Sequence, residues 1–73
     1  MPDSVYKVVE LIGTSAQSWD DAAKVAVETA GKSLRDLRIA EVIANDIVVE
    51  NGKVQAYRTK LKVSFKLESG GSL

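Results

Sequence analysis

The chain contains no cysteine and no histidine. The first absence excludes a disulfide framework, a thiolate zinc site and a cysteine nucleophile. The second removes the commonest general base and the commonest transition-metal ligand. Ser-His-Asp catalysis, Cys-His catalysis and histidine-based zinc chemistry are therefore all excluded. Aromatic residues are few: Tyr6, Trp19, Tyr57 and Phe65. No sign of charge dominates either, since Lys+Arg 10 balances Asp+Glu 10 for a net charge of +0. A dedicated nucleic-acid binder would be strongly basic, so no nucleic-acid partner is expected. No apolar run approaches the ~20 residues of a membrane span. The opening Met-Pro-Asp-Ser lacks the basic start of a signal peptide. A soluble cytoplasmic protein with no membrane partner is the expectation.

What is present is a single domain's worth of chain, 73 residues. A chain this short buries only ~60% of the surface that its unfolded form exposes, so its own core is marginal. Yet 45% of its residues are hydrophobic, a normal globular fraction. Small chains with neither disulfides nor metals often complete themselves by oligomerising.

Residues 4–12, SVYKVVELI, are rich in β-branched and aromatic types with loose alternation and predict a strand. Gly13, Thr14 and Ser15 are expected to break it and lead into a helix. They lack the Lys-[Ser/Thr] frame of a phosphate loop. Ser18 is placed to cap the helix, and Asp21 completes an S-x-x-D capping box. Asp20 and Asp21 suit the positive end of the helix dipole. From Trp19 the apolar residues recur in steps of three and four through Ala22, Ala23, Ala26, Val27, Ala30 and Leu34, one buried helical face. So many alanines make that face flat enough to lie close against a sheet. Gly31 marks the end of the helix or a weakening before Leu34. Trp19, on the apolar face, is expected in the core or at a subunit contact.

Residues 37–50 and 54–68 predict two long strands around Asn51-Gly52, the preferred two-residue hairpin turn. With Glu50 facing Lys53 and the register running on unbroken, one face carries Ala40, Val42, Ala44 and Val48 with Tyr57, Thr59, Leu61, Val63, Phe65 and Leu67. That face is expected to receive the helix. The other carries Ile39, Glu41, Ile43, Asn45, Ile47 and Val49 with Arg58, Lys60, Lys62, Ser64 and Lys66. In this register Asn45 faces Arg58, and Glu41 faces Lys62 in a favourable pair worth ~0.2–1 kcal/mol.

Three isoleucines on a solvated face would be wasteful in a monomer. The hairpin would be ~45 Å long, against ~24 Å for the helix. The apolar length left uncovered must meet another chain or aggregate. The order strand–helix–strand–strand has a simple solution in a right-handed crossover that makes strands one and two parallel, with strand three between them. The expected fold is therefore α+β: a β-α-β-β subunit whose three-stranded antiparallel sheet, in order 1-3-2, wraps around one helix.

VYKVVELIGTS at 5–15, the alanine-rich helix from Trp19, LRIAEV at 37–42 and YRTKLKVSFKLE at 57–68 together resemble the dodecin family. The likeness runs from about Val5 to Glu68. It implies a dodecin-like domain over residues 1–68 and a hollow dodecamer built from copies of the subunit, while Ser69-Gly70-Gly71-Ser72-Leu73 reads by its composition as a flexible tail. It also implies flavin binding, as FMN or riboflavin, in a slot made by an aromatic stacking residue and a glutamine. Those positions hold Ile39 and Arg58 here. Ile39 cannot stack as an aromatic ring does, and Arg58 donates hydrogen bonds but accepts none. Ile39, Glu41, Arg58 and Lys62 are the candidate slot residues, with the basic stripe of Arg58, Lys60, Lys62 and Lys66 as an anion-attracting lining.

The sequence is also similar to the branch of the family called calcium dodecin, which lacks the stacking tryptophan. That likeness implies calcium as the alternative ligand. No Asp-x-Asp-x-Asp-Gly loop is present, but calcium takes six to eight oxygens, which symmetry-related copies can share. Asp46 and Glu50 are the candidate calcium ligands, with Glu10 and Asp20 as others. The expected role is binding and storage or buffering of a small ligand rather than catalysis.

Overall fold

The computed structural model describes residues 3–67. The tail expected at 69–73 lies outside them. The elements follow in the order β1 (Tyr6–Ser15), α1 (Trp19–Ala30), β2 (Leu37–Glu50) and β3 (Lys53–Lys66). The three strands form one sheet in the order β1-β3-β2. Both β1 and β2 run antiparallel to β3, so the β-α-β-β subunit has the expected topology. No described helix is long and apolar enough to cross a membrane.

Local chemistry accounts for the ends of the elements. The Ser18 side chain accepts from the Asp21 backbone N–H at 3.0 Å, an N-cap. The other half of the expected capping box is rerouted, because the Asp21 carboxylate accepts from the Ser15 hydroxyl at 2.7 Å. That hydroxyl also accepts from the Gln17 N–H at 2.9 Å, which tightens the three-residue link from sheet to helix. The helix ends at Ala30 and does not reach Leu34 as a regular element. Gly31 keeps right-handed backbone geometry. The left-handed residue is Asp36, at φ 58°, where the chain swings into β2. Asn51 and Gly52, at φ 54° and 74°, make the hairpin turn in the left-handed conformation expected of that pair.

Two expectations need correction. Gly13, Thr14 and Ser15 do not break β1; they continue it, opposite Thr59, Arg58 and Tyr57. Gly13 is there for close approach. A Cβ at this position would overlap the Ala22 carbonyl oxygen and stand 2.9 Å from the Ala26 Cβ. The second correction concerns where the helix lies. The link from β1 is so short that α1 folds back over β1 and β3, where Thr59, Leu61 and Val63 receive it as expected, and leaves the β2 half of that face uncovered. Ala26 is buried with Leu61 and Val63, with Val9, Leu11, Ala23, Val27 and Leu37 around them, and Ala22 is buried beside Gly13. Ala40, Val42, Ala44 and Val48, expected beneath the helix, are exposed.

Every residue of β2 after Leu37 is exposed. The helix, 12 residues, spans ~18 Å. The hairpin strands, 14 residues each, span ~46 Å. The molecule measures 53 × 20 × 17 Å with a radius of gyration of 15.0 Å. A compact globule of this length would have ~11 Å.

The candidate site on the outer sheet face

Alternation along β3 defines two faces. Thr59, Leu61 and Val63 point to the helix and are buried, while Arg58, Lys60 and Lys62 point away. The register of β2 against β3 determines which β2 residues join each face. At the inner end Ile39 pairs with Ser64 and Glu41 with Lys62, as expected. Ile43 then bulges out without a partner, and the following pairs are shifted by one residue. Asn45 stands opposite Thr59, Asp46 opposite Arg58, and Ile47 opposite Tyr57. The expected Asn45–Arg58 pair is thus replaced by Asp46–Arg58. Asn45 and Ile47 move to the helix side, while Ala44 and Val48 move to the outer face. A second bulge, at Gln55 on β3, restores the original register, with Val49 opposite Val54 and Glu50 opposite Lys53.

Physical chemistry supports the shift. It lets Arg58 grip the Asp46 carboxylate in a two-pronged ion pair, Nε to Oδ1 at 2.7 Å and an Nη to Oδ2 at 2.9 Å. This hydrogen bonding, aided by the guanidinium charge and opposed by desolvation, holds the Asp46 pKa below the ordinary carboxylate value. The same contact raises that of Arg58. On the helix side the buried Thr59 hydroxyl lies between the Trp19 carbonyl oxygen, at 3.1 Å, and the Asn45 amide, at 2.9 Å. The Trp19 indole N–H donates to the Asp46 carbonyl at 2.9 Å. Its ring meets Tyr57 edge to face with centroids 5.2 Å apart. Trp19 is 36% exposed, so it sits at the rim of the helix rather than in its core. This network is not foreshadowed in the unbroken register. Its one available signal was charge: Glu41–Lys62 and Asp46–Arg58 cannot both pair in one unbroken register.

Ile39 is 64% exposed. It lines a shallow depression of about 170 Å³ with Val27, Leu37, Arg38, Ala40 and Val63. Glu41, Arg58 and Lys62 share the outer face with Ile39 but stand outside that lining. Between Ser64, the partner of Ile39, and Arg58 lies ~20 Å of strand at ~3.3 Å per residue. Within one chain a flavin ring system does not reach both. Elsewhere on the face Lys60 approaches Glu10 at 4.0 Å. Asp20 is exposed in the first helical turn.

The candidate calcium ligands are likewise separated. Asp46 commits both carboxylate oxygens to Arg58 and its carbonyl to Trp19. Glu50 lies ~13 Å further along β2. Among the described residues no group of three or more acidic, histidine or cysteine side chains is placed to hold a metal. One chain by itself does not supply the six to eight oxygens of a calcium site.

The comparisons agree with this architecture. The family model described as Dodecin matches residues 5–68. The protein named calcium dodecin from Mycobacterium tuberculosis is 50% identical over 64 residues, covering 88% of this chain and 90% of the relative. A solved structure titled as the calcium-chelating immunodominant antigen calcium dodecin of that organism, with a novel calcium-binding site, matches with a TM-score of 0.80 and 49% identity. It covers 96% of this chain and 100% of that one. The dodecin structure from Streptomyces coelicolor matches with a TM-score of 0.88 at 36% identity, over 94% of this chain and 99% of its own. With the strand order, the helix and the long bare hairpin already established, the chain belongs to the dodecin family.

Proposed function

We propose that the chain is the subunit of a cytoplasmic homododecameric shell that binds and holds a small ligand, and that this ligand is calcium. The observation that carries the reading is the bare β2 strand, exposed at every residue after Leu37. A surface of this kind, with Ile39, Val42, Val49 and Val54 each more than half exposed, is covered at low cost by other copies. Carboxylates too far apart within one chain then converge at symmetry axes. Asp46 and Glu50 are the proposed ligands, and the role is storage or buffering rather than catalysis. Half identity to a protein named calcium dodecin supports the choice of ion. The aliphatic Ile39, where the family resemblance puts a stacking aromatic, supports it further.

Light scattering at micromolar subunit concentration tests the assembly, and a stable monomer would refute it. Calorimetry with calcium, after chelator treatment, tests the ligand. Saturable heat that is lost in Asp46→Asn or Glu50→Gln is the expected result, and absence of heat removes calcium.

A flavin-type ligand is the second reading. It is favoured by the depression beside Ile39 and by the basic row of Arg58 and Lys62 on the outer face, with Glu41 opposite Lys62. Tight quenching of riboflavin or FMN fluorescence would select it.

A further inference from the structure

Beyond a separate shift between Leu37 and Ile39, the β2–β3 hairpin keeps one register from Ile39 to Val42 and from Val49 to the turn, and another between them. Ile39 to Val42, and again Val49 and Glu50, take the partners expected from an unbroken ladder through the Asn51-Gly52 turn. Between them Ala44 to Val48 are displaced by one residue, bounded by an extra residue on β2 at Ile43 and an extra residue on β3 at Gln55. The two bulges cancel. Residues 43–48 can therefore exchange registers without disturbing the turn or the inner end of the hairpin.

We propose that residues 43–48 form a two-register switch, held in the observed register by the Asp46–Arg58 ion pair and the Asn45–Thr59 contact. In the alternative register both bulges vanish. Ile43, Asn45 and Ile47 rotate to the outer face, opposite Lys60, Arg58 and Ala56, and extend the row begun by Ile39. Asp46 rotates to the helix side opposite Tyr57. Because strand periodicity is two, a one-residue slip exchanges every side chain between faces. The slip thus trades an outer face bearing a paired carboxylate for one bearing three isoleucines. The observed register is favoured because it pairs Asp46 with a guanidinium, satisfies the Thr59 hydroxyl and gives the Trp19 indole N–H its acceptor. In the isolated subunit the lock is exposed, with Arg58 and Asp46 side chains 40% and 58% accessible. Salt and competing ions can therefore reach it.

The absence of native cysteine makes the test direct. Val48→Cys with Ala56→Cys reports the observed register, since the two residues face each other. Ile47→Cys with Ala56→Cys reports the slipped register, since these residues now lie on opposite faces. Each pair is treated with a short dithiol-bridging reagent, and intrachain bridging is scored by mass under denaturing conditions. The first pair should bridge and the second should not in the native background. Adding Arg58→Ala should raise bridging of the second pair several-fold and lower that of the first. Raising salt to about 1 M, which shortens the screening length to ~3 Å, should move both yields in the same directions without any lock mutation. Bridging of the second pair that stays at background in Arg58→Ala and in high salt would overturn the proposal. Should Arg58→Ala fail to fold, the salt experiment decides alone.

Discussion

Replacing Gly13 by alanine probes the contact on which the subunit is built. The added methyl would overlap the Ala22 carbonyl oxygen and stand 2.9 Å from the Ala26 Cβ and 3.0 Å from the Ala22 carbonyl carbon. Two of the three neighbours are helix backbone, so no side chain can swing aside. The helix must retreat from the sheet by roughly 1 Å to restore ordinary contact, which for packed carbons begins at ~3.5 Å. That retreat opens a gap over Leu61 and Val63, which are 0% and 1% exposed. Overpacking of this kind costs ~1–3 kcal/mol, and the upper end applies because backbone has to move. A chain of this size has a total stability of only ~4–11 kcal/mol at ~0.05–0.15 kcal/mol per residue. The assay is urea denaturation at fixed subunit concentration, with Gly31→Ala as the control. Gly31 has a helical φ of −63°, and its nearest neighbours stand at 3.4 Å or beyond. That change should be neutral or stabilising by up to ~1 kcal/mol. A Gly13→Ala protein within about 0.5 kcal/mol of the parent, the spread of ordinary surface substitutions, would refute the close-approach argument.

Three further outcomes are expected. Ile43→Glu should dissociate the assembly by placing an unpaired charge in a subunit contact, and an unchanged mass by light scattering would count against that face as an interface. The lowered Asp46 pKa means that its ion pair stabilises the fold fully above the ordinary carboxylate range and loses that contribution as pH falls through it toward the lowered folded value. Trp19 emission should therefore be flat between about pH 5 and 8 and change only below about pH 4, whereas Asp46→Asn should remove that acid step. The double variant Ile39→Trp, Arg58→Gln should gain flavin affinity by ~1–3 kcal/mol, from one aromatic stack and one neutral hydrogen bond supplied by different subunits of the assembly. An intact assembly with no gain in a riboflavin titration would mean that the slot has been remodelled.

Topology was legible in the sequence because each element carries its own local signal. Ser18 and the three- and four-residue apolar steps mark the helix, and Asn51-Gly52 marks the hairpin turn. Gly13 misled, since a glycine admitted for close packing looks in sequence like one admitted for a turn. The β3 residues under the helix were located correctly, but its cover of β2 was misjudged, because periodicity tells which helical face is buried but not which strands receive it. That choice follows from a three-residue link between β1 and α1. On the outer face Ile39 and Glu41 were located correctly, being on the turn-determined register. Asn45, Asp46 and Ile47 were not, because a bulge leaves no mark in composition and only the competition between two charge pairs hints at it. The separation of Asp46 from Glu50, and of Ile39 from Arg58, is a matter of strand length that sequence proximity conceals.

The central strand of the sheet is also the last of the three along the chain. Tyr6 pairs with Lys66 and Ser15 with Tyr57, so no part of β1 has a partner until β3 has been made. β2 waits as well, since among the described residues its only hydrogen-bonded neighbour is β3. A ribosome producing this chain therefore releases two unpaired β-branched segments and a short helix with only the unpaired β1 to pack on. Once β3 emerges, the local hairpin closes through its two-residue turn on the microsecond scale. Docking of β1 requires a much longer loop to close and follows later. The hairpin thus forms first, and β1 with its helix docks onto β3 last.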